Sequence, residues 1–254
     1  MKFLPGVEPI SFDHDKHIYS DGDRQLISVT TLIHKYVPEF DPTGEIIARC
    51  AARDGVTVEE LRAEWDWECE KACIKGRSLH SQMEYWIDHG KIGPGDFQDV
   101  VGQFANLGFK GKLRSETIIY SKELGIAGTV DVTDCYGNNE LDVIDFKTNK
   151  ALKKTSFFKR PGGFEKMLPP VRHLMSCNFI HYSIQQELYG ILLEEAGYWI
   201  NDRVILYLNP KTRILEKHPC LPLRKEAEAI IEHYISKGKS NKKALACIPD
   251  DFDF

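Results

Sequence analysis

The chain reads as an α/β protein with a mixed central β-sheet flanked by helices. Three observations predict this class. Strand-like stretches at 115–121, 126–134 and 140–147 follow one another closely enough to form a meander. A long, strongly apolar helical stretch at 178–196 separates them from two more strands, at 203–209 and 213–218. Helical patterns precede and follow this set, and such mixtures pack helices against a sheet.

Each element has a local cause. The segment HIYSDGDRQLISVTTLI (17–33) reads as a hairpin turning near Asp21-Gly22, then a short helix opening near Thr30 or Thr31. Thr57-Val58-Glu59-Glu60 is a capping box. It starts a helix that runs towards Gly76, and a helical pattern continues from Gly76 to about Asp88, stopped by Gly90. The turn YGNN joins the second and third central strands. Residues 148–177 are irregular and basic, with Pro161-Gly162-Gly163 and Pro169-Pro170. Gly197 ends the long helix, and a last helix runs from about Pro222 to Lys237, ended by Gly238.

Composition excludes several classes. With 42% hydrophobic and 28% charged residues, the chain can build a sizeable core. No apolar run reaches the roughly 18 residues of a membrane span. The start, MKFLPGVEPISF, has neither a secretory nor a transit pattern, so the expected location is the cytoplasm. Seven scattered cysteines suggest reduced thiols. The net charge of −5 hides a local imbalance: residues 147–172 carry Lys147, Lys150, Lys153, Lys154, Lys159, Arg160, Lys166 and Arg172 against the single acid Glu165.

The chemistry lies on the meander. Along 140–147, alternation puts Asp145 and Lys147 on one face and Asp142 on the other. A loop centred on Asn138 pairs residues whose numbers sum to twice 138, which is 276, and so sets Asp131 across from Asp145. Facing carboxylates about 5 Å apart repel and call for a cation. A divalent metal supplies it, with Lys147 beside it to hold or deprotonate a water. The alternative is a solvent-facing hairpin edge with ordinary charges. Gly128, three residues before Asp131, marks a place of close approach. His80 and Glu84 share a helix face at i and i+4, as do Gln185 and Tyr189. Asp134 and Asp142 read as exposed. Glu116 reads either as an acid backing the site or, slightly favoured, as an exposed strand end.

The pieces GRSLHSQME (76–84), GTVD (128–131), DFK (145–147) and QQELY (185–189) stand in one order. In these four the chain resembles the PD-(D/E)XK nuclease superfamily, in its RecB-like exonuclease branch. The stretches around 11–41 and 169–195 are similar to phage-type members. The motifs span residues 76–189. Val130 stands where the superfamily name has proline, as is common in that branch.

The resemblance implies a restriction-endonuclease-like core and one nuclease domain over 1–254. This would comprise a hairpin and helical region at 1–75, a core at about 76–237 and a tail at 238–254. It implies Asp131 and Asp145 as acidic ligands and Lys147 as the catalytic lysine. His80 and the Phe146 carbonyl would complete the metal shell, with Glu84 and Glu116 as outer acids. Gln185 and Tyr189 would brace the site and touch nucleic acid. The implied reaction is Mg2+- or Mn2+-dependent hydrolysis of DNA, by an exonuclease of recombination or repair, leaving 5′-phosphate and 3′-hydroxyl ends. Lys150, Lys153, Lys154, Lys159 and Arg160 would grip the DNA backbone. Phe157, Phe158 and Phe164 either stack on bases or pack the loop. Two other readings stay open: a nucleic-acid-binding module with a degenerate site, and an iron–sulfur nuclease of the CRISPR-adaptation type, for which the cysteine spacing is wrong. The acidic, aromatic end IPDDFDF reads as a disordered terminus or as a peptide docking on a protein partner.

Overall fold

A computed structural model describes residues 2–14, 16–39, 44–159 and 161–238. The elements before the meander are β1 (Ser11–Asp13), β2 (Ile18–Asp21), β3 (Arg24–Ser28), α1 (Val29–His34), α2 (Glu45–Asp54), α3 (Val58–His89) and α4 (Gln98–Ala105). The meander is β4 (Lys112–Ser121), β5 (Ile126–Tyr136) and β6 (Glu140–Lys147). A small hairpin, β7 (Phe158–Lys159) and β8 (Gly163–Phe164), leads to α5 (Asn178–Glu195), β9 (Trp199–Leu208), β10 (Leu215–Pro219) and α6 (Arg224–Gly238).

The sheet runs β1-β2-β3-β5-β6-β9-β10, with β4 also paired to β5. The β3–β5 and β6–β9 pairs are parallel and the others antiparallel, so the sheet is mixed as expected. The meander needs only tight turns, supplied by Gly125 (φ +72°) and by Gly137 and Asn139 (φ +56° and +63°). The parallel β6–β9 pair needs a crossover, which the basic segment and α5 provide.

Helices cover both faces. Leu32, Ile184, Leu188 and Ile230 of α1, α5 and α6 pack with Val130 and Val143. Leu79, Met83, Val100 and Phe104 of α3 and α4 pack with Val132, Ile144, Phe146 and Leu206. Thus β6 has no solvent-facing side: every residue after Glu140 is buried.

The capping box at Thr57 and Glu60 and the left-handed cap at Gly90 bound α3 as predicted. The helix runs unbroken through Gly76, which lies against Thr148. The sequence reading left out α2 and α4. Both are short, and α4 contains Gly102, so its case rests on burying Val100, Val101 and Phe104 rather than on propensity.

One expectation is overturned. Asp134 and Asp142 are buried, 2% and 8% exposed, and face each other across β5 and β6. Asp134 accepts the N–H groups of Lys110 and Gly111 at 2.7 and 2.8 Å. Asp142 accepts from Tyr136 Oη at 2.7 Å and pairs with Lys110 Nζ at 2.8 Å. The chain entering β4 lies over this end of the hairpin and supplies the compensating donors. It comes close enough only because residue 111 is glycine: a Cβ there would stand 1.9 Å from the Cys135 carbonyl oxygen.

The strand β5 uses its two edges differently. One pairs with β4 along its length. The other pairs with β3 at 126–127 and with β6 at 132–136. Residues 128–131, GTVD, have no ladder partner on that edge. Gly128 also receives the Tyr189 ring, which a Cβ would approach to 2.7 Å. Gly128→Ala should therefore destabilise the protein by about 1–3 kcal/mol. A lower denaturant midpoint with unchanged slope is the expected result, and an unchanged midpoint would mean that the ring is free to move.

Candidate metal centre

Side chains two apart on a strand share a face. Val130 and Val132 do not: the first packs on the α5 side, the second on the α3 side. The alternation resets at Asp131. Its neighbour on β4 is Glu116, bracketed by the pairs Ser115↔Val132 and Thr117↔Val130. Glu116 has φ +48°, a left-handed conformation uncommon for a residue with a side chain and costing about 1–3 kcal/mol.

The result is that both carboxylates converge on α3. His80 Nδ1 stands 3.6 Å from Glu116 Oε1, and His80 Nε2 stands 3.6 Å from Asp131 Oδ2. One ligand atom from each of the three lies within 4.8 Å of the others. Glu116, read as a strand end or an outer acid, is a member of this trio.

The β5–β6 register has the expected sum of 276, but it stops at Val132↔Ile144, one pair short of Asp131 and Asp145. Instead Asp131 Oδ2 accepts the backbone N–H of Phe146 at 2.8 Å. A carboxylate thus replaces a ladder carbonyl where the strands part. It is the N–H of Phe146 that meets the acid here.

Asp145 is 1% exposed, and its Oδ2 has no hydrogen bond. Its close cation is Lys147 Nζ at 3.1 Å, at an angle outside hydrogen-bonding geometry. Lys147 lies over the Tyr182 ring at 4.6 Å, and Tyr182 Oη donates to Asn149 Oδ1 at 2.7 Å.

Burial and the neighbouring charges together shift the titration of the site. Burial alone would lower the His80 pKa, yet Asp131 and Glu116 carry it to about 10. Burial raises Asp145 to about 7 against the pull of Lys147, with Asp131 adding to the rise. Burial also raises Asp131, with His80 opposing. An imidazole and three carboxylates, one of them with a buried oxygen that makes no hydrogen bond, are a donor set that fits a divalent cation.

Other expected residues fall elsewhere. Glu84 pairs with Lys2 Nζ at 2.9 Å and is not a member of the trio. Gln185 Nε2 donates to Tyr189 Oη at 2.9 Å, so that pair adjoins GTVD from the α5 side. Lys150 and Lys153 are exposed, and Lys150 reaches Glu68 at 3.0 Å. Lys154 lies over the Phe179 ring at 5.1 Å. The Lys159 side chain, Arg160 and the IPDDFDF tail lie outside the described residues. Phe158 and Phe164 meet edge to face at 5.2 Å, whereas Phe157 is 73% exposed. Among the described residues the cysteines are free and join no metal-ligating group. Tyr182 was missed; its spacing of three and seven before Gln185 and Tyr189 was the available signal.

No family model and no curated protein matches the chain. Among solved structures it is similar to a candidate exonuclease from Eubacterium rectale, with TM-score 0.35 and 14% identity over 54% of this chain and 46% of that one. It is also similar to SSO0001, with TM-score 0.37 and 16% identity over 85% and 76%. The first match thus spans about half the length of its relative. Likeness at this level leaves the chemistry to the site's own geometry. Among the described residues no helix is long and apolar enough to cross a membrane.

The pH dependence follows from the directions of shift. His80, raised from 6.5 to about 10, contributes stability that is lost as pH rises through about 10. Asp145, raised from 3.8 to about 7, is a carboxyl the fold prefers protonated, so stability also falls as pH rises between these values. In chelator, the melting temperature should fall steadily from about pH 5 to about pH 10, and saturating Mn2+ should flatten the fall by favouring the deprotonated donors. A melting temperature that rises with pH in chelator would contradict the charge reading of the site.

Proposed function

We propose that this chain is a metal-dependent nuclease with a restriction-endonuclease-like core over about 76–237, one domain of the RecB-like type. It would hydrolyse DNA from an end and leave 5′-phosphate and 3′-hydroxyl termini. The observation that carries this is the meeting of His80, Glu116 and Asp131 beside the unsatisfied Oδ2 of Asp145 and the Lys147 ammonium, where β5 and β6 part.

His80, Glu116, Asp131 and Asp145 are the residues that would hold Mg2+ or Mn2+. The ion, when bound, supplies charge to polarise a phosphate and to acidify water. Lys147 is the chain's own electrophile. Asp145 pairs with it at 3.1 Å, the Tyr182 face restrains it, and it stabilises the charge that builds on the phosphate oxygens or orients the attacking water. Gln185 and Tyr189 brace the GTVD stretch. The basic loop beyond β6, with Lys150, Lys153, Lys154, Lys159 and Arg160, grips the backbone, and Phe157 is free to meet a base.

Lys147→Ala and Asp145→Asn should each lower cleavage of end-labelled DNA by roughly 100-fold or more, with the circular dichroism spectrum of the fold retained. Full activity in either purified variant sinks the assignment; binding without turnover in Mg2+ and Mn2+ would replace it with a binding module.

Glu116→Gln separates the trio from the sequence motifs. It should raise the Mn2+ concentration for half-maximal cleavage by about tenfold or more. An unchanged requirement would remove Glu116 from the metal shell.

A further inference from the structure

The turn between β9 and β10 and the loop after β6 line an open cavity of about 260 Å3. Lys150, Lys154 and Lys211 stand on its lining with Tyr207, Asn209 and His218, and Glu216 is its one acid. Three ammonium groups against one carboxylate leave a net charge of +2 with the histidine neutral. That carboxylate is already engaged: Asn209 Nδ2 donates to its Oε1 at 2.8 Å, and His218 Nε2 lies 3.2 Å from its Oε2.

The cavity has a fixed relation to Lys147. The ladders align Lys147 with Tyr207 and Tyr207 with Glu216. Residues paired across a sheet share a face, so these three form one row on the α5 side. Strands lie about 4.8 Å apart, which places the Glu216 end of the row about 10 Å from Lys147. The loop and β9 continue the catalytic strand's own neighbourhood, because Tyr207 Oη donates to the Asn149 carbonyl at 3.2 Å.

Both walls are set from within the fold. Asn209 Oδ1 accepts the N–H groups of Lys211 and Thr212 at 3.0 and 3.3 Å, which shapes the turn that presents Lys211. Arg213 ties the same turn to Asp99 at 2.6 Å. Opposite, Asn178 clamps the loop, accepting from Lys153 N–H at 2.8 Å and donating to the Ala151 carbonyl at 2.9 Å. Lys150 shares its ammonium with Glu68, but an exposed pair of this kind is weak and yields to a stronger anion.

We infer that this cavity is a phosphate site, taking the phosphate of a nucleotide about 10 Å from the reactive centre. Lys211 and Lys154 supply its charge, and Tyr207 forms its floor. As a holder of the DNA chain it rests on the nuclease reading; as a holder of phosphate it does not. The row across β6, β9 and β10 acts as a ruler, fixing one phosphate of the chain while another lies at Lys147.

The test uses the full chain in chelator, where nothing is cleaved. A deoxynucleoside 5′-monophosphate and inorganic phosphate are titrated by calorimetry, with the unphosphorylated nucleoside as control, followed by a short oligonucleotide over a range of salt. The phosphates should bind and the nucleoside should not, and Lys211→Ala should weaken phosphate binding several-fold. For the oligonucleotide, Lys211→Ala should reduce the slope of log affinity against log salt by about 0.7–0.9. Monophosphate binding lost in the variant with an unchanged oligonucleotide slope supports the phosphate site and assigns it to free nucleotide. No phosphate binding by the native chain, or binding indifferent to both Lys211→Ala and Lys154→Ala, overturns the proposal. Because these readouts need no turnover, an absence of cleavage in Mg2+ and Mn2+ would count against the nuclease reading alone.

Discussion

The site depends on one constraint: β5 and β6 part at Asp131. Up to Val132 the two strands exchange backbone hydrogen bonds. One residue further, the Asp131 carboxylate takes the Phe146 N–H. The substitution satisfies a buried donor and keeps the strands from closing. It also leaves a charged oxygen where a neutral carbonyl would lie, and His80, Glu116 and Lys147 are disposed around that consequence.

The same hairpin contains its own control. Two aspartate pairs lie across β5 and β6 with numbers summing to 276. Asp134 and Asp142 are neutralised by the chain itself, through Lys110 and two backbone N–H groups. Asp131 and Asp145 have His80 and Lys147 as their cations, but Asp145 Oδ2 makes no hydrogen bond and burial pushes both carboxyls up. A buried carboxylate without full compensation is costly. Hydrogen bonding is fuller at one end of the hairpin than at the other, and the sparser end is the one beside His80, Glu116 and Asp131.

Helix α5 serves as the scaffold behind β6. Tyr182 supports Lys147, Tyr189 fills the space left by Gly128, and Asn178 holds the loop that carries Lys150 to Lys154. One helix therefore sets the lysine, the open strand edge and the basic loop. Helix α3 contributes His80 from the opposite face, so the site lies where both covering layers reach past the same gap in the sheet.

The sequence by itself determined the central strands, the long helices, their caps and the 276 register, because alternation, capping and turn residues act locally. It also set Asp131 across from the face that carries Asp145 and Lys147, and the resemblance in the four motifs added His80 to them. Tertiary structure decided what each charge meets. Glu116 enters the trio only because its left-handed backbone and the reset at Asp131 turn two neighbouring strands together, which no spacing rule contains. Asp134 and Asp142 are buried only because the chain before β4 passes over them at Gly111. Glu84 faces Lys2, a residue 82 positions away. Local periodicity assigns a side chain to a face; whether that face meets water, a cation or another acid depends on contacts far apart in the chain.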